Sequence, residues 1–381
     1  MKTVKLGIIG IGNMGTTHSK SIFAGNIPGM ELAAVADFSA ARREWAQGFL
    51  PQGFPIFDDG EKLIESGIVD AVLIATPHYQ HPVLAIKAFG RELHVMCEKP
   101  AGVYVKQVLE MNAVAEKSDR VFAMMFNQRT NCNYRKMKEL VSGGTLGAIK
   151  RVSWIITDWY RTQSYYDAGG WRATWDGEGG GVLLNQCPHN LDLLQWICGM
   201  PKKVRAFCHN GKWHNIEVED DVTAYLEFAN GATGTFITST ADAPGTNRFE
   251  ILMEKGRLLI ENGANLTLKE LDISEREFCK TAKGGFDQPS SRITNVETDG
   301  SNEQHNGVLK AFTNRILHGQ PLIADGCEGI HSLALSNAMH LSSWLDKTVE
   351  MPMDEELFLA ELNKRRAGSK SKSGTGATFE V

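Results

Sequence analysis

The sequence predicts an α/β chain: a doubly wound parallel sheet followed by an α+β domain with a large open-faced, mainly antiparallel sheet. Three observations predict it. Apolar runs of strand length alternate with helix-length segments over residues 4–126, as right-handed βαβ crossovers require. The first run breaks at Gly10-Ile11-Gly12-Asn13-Met14-Gly15. From about residue 130, β-rich runs punctuated by hairpin turns take over.

Residues 4–9 alternate and then become continuously apolar, as in a strand buried on both faces. Residues 16–24 read as a short helix and 32–36 as a second strand ending in Asp37, 22 residues beyond Gly15. In this setting Gly10 permits a tight turn, Gly12 admits a pyrophosphate to the backbone, and Gly15 lets helix and strand pack closely. Asn13 and Met14 complete the loop, and the helix N-terminus offers N–H groups and positive dipole to phosphates. Asp37 suits both ribose hydroxyls of NAD and repels the 2′-phosphate of NADP. The glycines alone are a weak signal; strand, helix, second strand and acid together point to NAD.

Helices at 40–49, 60–66, 82–89 and 103–117 alternate with strands at 70–75, 94–97 and 121–126. These strands end at Thr76-Pro77-His78, at Glu98-Lys99-Pro100 and at Asn127-Gln128-Arg129. In an open parallel sheet ligands gather at such carboxyl ends. The grammar divides the chain into an NAD-binding domain at 1–128, an α+β substrate and oligomerisation domain at 129–366, and a flexible tail at 367–381. In the second part a helix at 134–141 precedes strands at 152–159, 204–208, 222–228, 232–239, 249–254, 257–260 and 266–271. Asn230-Gly231 and Lys255-Gly256 are hairpin turns. Residues 272–303 read as a long polar loop, and 306–317 and 328–345 as helices.

A net charge of −5 and a pI near 6.1 imply no broad basic surface and argue against a nucleic-acid partner. The basic group Lys364, Arg365, Arg366, Lys370 and Lys372 reads as solvated. Seven cysteines, an odd number without C-x-x-C or C-x-x-H spacing, predict reduced thiols, no metal site and a cytoplasmic setting. The first strand starts almost at Met1, so no signal peptide is expected, and no run of about 18 apolar residues predicts a membrane span.

Two stretches carry chemistry. A lysine such as Lys99, at a strand end beside a nicotinamide, hydrogen-bonds an oxygen undergoing hydride transfer, and desolvation lowers its pKa. Glu98 steadies that charge. The alternative is a surface Glu-Lys pair before a turn. The second stretch runs from Gly179-Gly180-Gly181 through Asn185-Gln186-Cys187-Pro188-His189 to Asp192. Pro188 opens a helix and Gly199 closes it. His189 then sits in the first turn, where the helix terminus disfavours imidazolium. Asp192 either fixes the His189 tautomer or bonds a neighbouring helix. The alternative is that Asn185 caps the helix and His189 is a satisfied polar residue. Trp159, Tyr160, Tyr165, Tyr166, Trp171 and Trp175 precede this stretch; aromatic faces suit sugar C–H faces or plain packing.

Together these residues resemble the Gfo/Idh/MocA oxidoreductase family, which includes inositol dehydrogenases, glucose–fructose oxidoreductase and sugar 3-dehydrogenases. The resemblance covers nearly the whole chain. It rests on the glycine loop, Ala75-Thr76-Pro77 with His81, Glu98-Lys99-Pro100, Trp171-Arg172, the 179–192 segment and the 325–350 stretch. It implies an N-terminal Rossmann domain and a C-terminal domain on a large open-faced sheet. It implies Lys99 and His189 as the catalytic pair, and Thr76, Pro77, His81, Glu98, Lys99, Asn127, Trp171 and Arg172 beside the cofactor NAD. Substrate contacts fall to Lys99, Tyr160, Arg172, Asn185 and His189. The expected reaction moves a hydride from a ring hydroxyl, at C3, of a sugar or glycoside to NAD. An inositol dehydrogenase, an oxo-sugar reductase and a retained-NAD enzyme with net redox-neutral action are the alternatives. A homodimer or homotetramer through the open sheet is also implied. One departure stands out: Asn185 occupies a position where the family commonly has Asp. Asp176 or Glu178 is then the candidate replacement carboxylate.

Overall fold

A computed structural model of the chain describes residues 3–370 and 372. The first layer alternates β1 (Val4–Ile9), α1 (Asn13–Phe23), β2 (Met30–Ala36), α2 (Ala40–Phe49), β3 (Ile56–Phe57), α3 (Gly60–Glu65), β4 (Ala71–Ile74), α4 (Gln80–Gly90), β5 (His94–Cys97), α5 (Val105–Ala115) and β6 (Phe122–Met124). The strands are parallel, in the order β3-β2-β1-β4-β5-β6. The order reverses between β1 and β4, which opens a crevice at their carboxyl ends. The near-continuous apolar runs of these strands follow from burial on both faces: Leu6, Ile8, Val72 and Leu73 are fully buried.

The second layer contains α6 (Cys132–Ser142), β7 (Ile149–Ile156), α7 (Gln163–Asp167), α8 (Pro188–Cys198), β8 (Lys203–Asn210), β9 (Glu219–Glu227), β10 (Thr233–Ser239), β11 (Asn247–Met253), β12 (Gly256–Glu261), β13 (Ala264–Leu271), α9 (Glu275–Thr281) and β14 (Ser291–Asn295). There follow α10 (Gln304–His318), α11 (Gly329–Leu345), β15 (Val349–Glu350) and α12 (Glu355–Ala367). Nine strands pair in the order β14-β13-β12-β11-β7-β10-β9-β8-β15. All pairs are antiparallel except β7 with β10. Trp154, Phe236 and Phe249 stack on the buried face of the central strands. Phe207 and Tyr225 stand exposed on the other. Among the described residues no helix is long and apolar enough to cross a membrane, and all seven cysteines are free.

α10 returns from the second layer to the first sheet. Its Val308, Leu309 and Phe312 share a core with Leu6, Ile8 and Val35. Its N-terminus therefore lands beside the 3-10 turn Asn127–Thr130, where Asn127 Nδ2 donates to Gln304 Oε1 at 2.6 Å.

Four sequence readings need correction. α1 starts at Asn13 rather than 16, so the glycine loop passes directly into the helix. The stretch read as loop at 272–303 holds α9 and the edge strand β14, whose five residues are all exposed and so carry no apolar period. α12 was not anticipated, because in a charged sequence only Phe358 and Leu362 are buried. The basic group it carries is not simply solvated: the Arg365 guanidinium lies 3.9 Å from the Trp344 ring centroid, and Arg366 pairs with Asp176 at 2.9 Å. Of the tail read as flexible, residues 371 and 373–381 lie outside the described residues. The Lys370 N–H donates to Glu217 Oε1 at 2.7 Å.

Candidate active site

The crevice between β1 and β4 is floored by the glycine loop. Gly10 has φ +88°, open to glycine at little cost. A Cβ on Gly15 would stand 1.9 Å from Gly10 O, so only glycine lets α1 approach β1 this closely. A Cβ on Gly12 would meet nothing within 4 Å; it faces open space. α1 has no side-chain cap, which leaves the N–H groups of Asn13, Met14 and Gly15 outside its internal hydrogen bonds. Asp37 accepts from Ile11 N and Ser39 N, each at 2.9 Å, at the end of β2. Two buried side-chain oxygens at this crevice, Thr76 Oγ1 and Asn127 Oδ1, have no hydrogen-bond partner among the described residues. An open cradle, unsatisfied helix N–H groups, a carboxylate at the end of β2 and two orphaned oxygens fit NAD.

Lys99 projects from the end of β5. Its Nζ donates to Asn185 O at 2.8 Å, and its N–H donates to Glu98 Oε2 at 3.1 Å. Glu98 Oε1 lies 2.7 Å from His18 Nε2, and the His305 ring packs edge-on against His18 at 5.4 Å. Burial lowers the pKa of Lys99, with the Glu98 charge opposing in part. Burial alone would raise Glu98, but its bond to His18 and the cations around it hold it down at about 2. His81 fixes this turn from behind: its ring nitrogens sit 2.7 Å from Pro100 O and 2.8 Å from Thr76 O. Those contacts lie within the protein and join the ends of β4 and β5.

His189 is the second residue of α8, after Pro188. Burial, with the Lys99 charge adding to it, lowers its pKa to about 3. The sequence credited the helix terminus with this neutrality; desolvation is the larger cause. His189 Nδ1 is buried and has no hydrogen-bond partner among the described residues. Asp192 takes the second of the roles read for it. It pairs bidentately with Arg129, at 2.6 and 2.8 Å, and does not touch His189.

The structure separates the two candidate carboxylates. Asp176 pairs with Arg366 at the surface. Glu178 is buried, accepts from Ala173 N at 2.6 Å, and receives a short hydrogen bond from Asn185 Nδ2. Burial raises its pKa. Asn185 thus joins Lys99, through its carbonyl, to Glu178, through its amide. The backbone of this stretch is tied to β9: Glu219 Oε1 accepts from Gly181 N at 2.9 Å and Leu183 N at 3.0 Å.

Arg172 donates to Tyr165 Oη at 2.7 Å and lies 4.7 Å from the Trp171 ring centroid. Trp171 meets His78 edge-on at 5.6 Å. Tyr160 is half-exposed, and its carbonyl accepts from Arg161 NH1 at 2.8 Å. Among the described residues no side-chain contact joins Tyr160 to Lys99 or His189. Sequence reasoning missed His18, His305 and Gln186. His18 was findable, since it lies three residues past Gly15 on the face of α1 that meets the sheet. His305 had no local signal: it opens α10, which only the tertiary fold returns to this crevice.

Fold and site define a class: an NAD-dependent oxidoreductase with a Rossmann domain and a sheet-backed second domain. Family models match in both halves, the NAD-binding Rossmann oxidoreductase model over residues 4–126 and the GFO/IDH/MocA C-terminal domain over 134–259. The chain belongs to the Gfo/Idh/MocA oxidoreductase family. It is 30% identical to the rhizopine catabolism protein MocA of Rhizobium meliloti, over 75% of this chain and 88% of that one. It is 25% identical to D-glucoside 3-dehydrogenase of Escherichia coli K12, over 91% and 97%. Among solved structures, the WlbA dehydrogenase of Bordetella pertussis, in complex with NADH and UDP-GlcNAcA, superposes with a TM-score of 0.76 at 25% identity, covering 92% of this chain and 100% of that one.

Proposed function

We propose that this protein oxidises a ring hydroxyl, at C3, of a sugar or glycoside, with NAD as hydride acceptor and with Lys99 and His189 as the catalytic pair. One observation carries the reading: a half-buried Lys99 shares the crevice with a neutral His189 whose Nδ1 has no partner among the described residues. Lys99 Nζ donates to the substrate oxygen and steadies the charge that grows there. His189 accepts the hydroxyl proton. NAD, held by the glycine loop and Asp37, would supply the hydride acceptor as C–O becomes C=O; the hydride would carry two electrons and one proton from carbon, and the hydroxyl proton would rest on the His189 imidazole. Asn185 orients ring hydroxyls, and Arg172 contacts the substrate beside it. The D-glucoside 3-dehydrogenase relative supports C3. The reading includes a cytoplasmic enzyme that assembles as a dimer or tetramer through the open sheet face, which light scattering checks.

The test is absorbance at the NADH band on mixing protein and NAD with glucosides, free hexoses and inositols, with the product identified. A 3-oxo glycoside supports the reading, and an inosose shifts the substrate class. Lys99→Met and His189→Ala should each lower kcat by about 10²–10⁴-fold while NADH still binds. Unchanged turnover in either variant ends the role assignment.

A further inference from the structure

Beside Lys99 the site holds two guanidinium groups, and the Glu178 charge acts on one of them, Arg172, from beyond ion-pair distance. Arg161 and Arg172 both stack on Tyr165, with guanidinium carbons 5.1 and 4.6 Å from its ring centroid. Arg161 also lies 5.7 Å from the Trp159 ring, and Arg172 bonds Tyr165 Oη. Among the described residues neither has a carboxylate within ion-pair distance, although 26 such pairs occur elsewhere. The nearby acids are otherwise engaged: Glu178 with Ala173 N and Asn185, Asp176 with Arg366, and Asp167 with Gln163 and Lys372.

This shelf is built and fixed to the reacting centre. The backbone of Arg161 is held on both sides, its N–H donating to Thr240 O at 2.8 Å and its carbonyl 3.0 Å from His214 Nε2. Trp159 Nε1 donates to Asn190 Oδ1 at 3.3 Å, next to His189. Tyr165 Oη also accepts from Gln186 Nε2 at 3.2 Å, next to Asn185, which holds Lys99. The Gln186 Oε1 atom is buried with no hydrogen-bond partner among the described residues. Glu98 and Glu178 therefore compensate Lys99 in part, while Arg161 and Arg172 line the same side of the site with no ion-paired carboxylate among the described residues. Guanidinium forks held over aromatic rings match a planar, two-oxygen anion.

We propose that the sugar this site takes carries a carboxylate, received by Arg161 and Arg172 while Lys99 and His189 address a ring hydroxyl. The substrate class is then a hexuronate-type sugar acid or its glycoside. The inference rests on the ring-hydroxyl reading above for the reacting end and adds the group that anchors the other end.

Calorimetric titration of the enzyme–NADH complex with matched pairs, D-glucuronate against D-glucose and D-galacturonate against D-galactose, tests it, with D-glucose 6-phosphate as a third arm. The expected result is roughly tenfold or tighter binding of at least one acid over its neutral partner. That preference should shrink with added NaCl, collapse in Arg161→Gln and partly return in Arg161→Lys. Equal affinities, no binding by either acid, a preference for the phosphate alone, or a preference unaltered in Arg161→Gln each overturns the proposal. Binding is read without turnover. Absence of NADH formation from every sugar would therefore count against the dehydrogenase reading and leave the acid preference separately measurable.

Discussion

Removing the Arg129 guanidinium should destabilise the protein with a recognisable pH signature. Arg129 is almost wholly buried, as is Asp192, and it bridges the turn after β6 to α8 and to Glu328 at 2.6 Å. Arg129→Met keeps much of the volume but leaves the Asp192 carboxylate with Gln195, at 3.0 Å, as its remaining side-chain partner. Breaking a buried pair from one side costs about 3–5 kcal/mol. At roughly 2 °C per kcal/mol for a large chain, Tm should fall by about 6–10 °C. Burial already raises the Asp192 pKa, and Arg129 pulls it down; without the guanidinium it rises further. A carboxyl whose folded pKa exceeds its unfolded value binds more protons when folded. The penalty is therefore small near the unfolded pKa and grows as pH climbs through the folded one. Circular dichroism melts at about pH 5 and about pH 8 should show the larger loss at the higher pH. Adding Asp192→Leu to Arg129→Met should recover most of it, because no orphaned charge is then buried. A loss below about 2 °C, equal at both pH values, would refute this account of the pair.

Three further outcomes follow from the geometry. Gly12→Ala should leave Tm unchanged, since its Cβ meets no protein atom, yet weaken NADH binding in a fluorescence titration. Gly15→Ala should lower both, because its Cβ would collide with Gly10 O; a Gly15→Ala protein with native Tm contradicts the close packing of α1 on β1. With a folded pKa near 3 against about 6.5 when unfolded, His189 stays neutral through the physiological range. Its contribution to stability is full above the unfolded pKa and is lost as pH falls toward 3. Histidine NMR that finds His189 titrating near pH 6 would contradict its burial. The Glu178 charge raises the Lys99 pKa against the stronger effect of burial. Glu178→Gln should therefore move the alkaline limb of the kcat/KM profile to lower pH, and an unmoved or upward-shifted limb removes Glu178 from the circuit.

Much of this protein was legible in its sequence, for reasons local to the chain. Period and punctuation gave the parallel sheet, because its strands are buried on both faces and end where glycine or proline breaks them. The placement of the glycine loop, Asp37, Lys99 and His189 at turns, strand ends and a helix start was readable, because the neighbouring residues specify those breaks. β14 and α12 were not readable, since one is fully exposed and the other anchors on two buried residues.

Only the tertiary structure could choose among alternatives that depend on residues far apart in the chain. It gave Asp192 to Arg129 rather than to His189, and Glu178 rather than Asp176 to Asn185. It brought His305 from the start of α10 to His18 and Glu98. It also set Arg161 and Arg172 on Tyr165 with no carboxylate within ion-pair distance among the described residues. The physical reason is the same in each case. Secondary structure answers to a short window of sequence, whereas the partner of a buried charge, and so its pKa and role, is decided by which distant element packs against it.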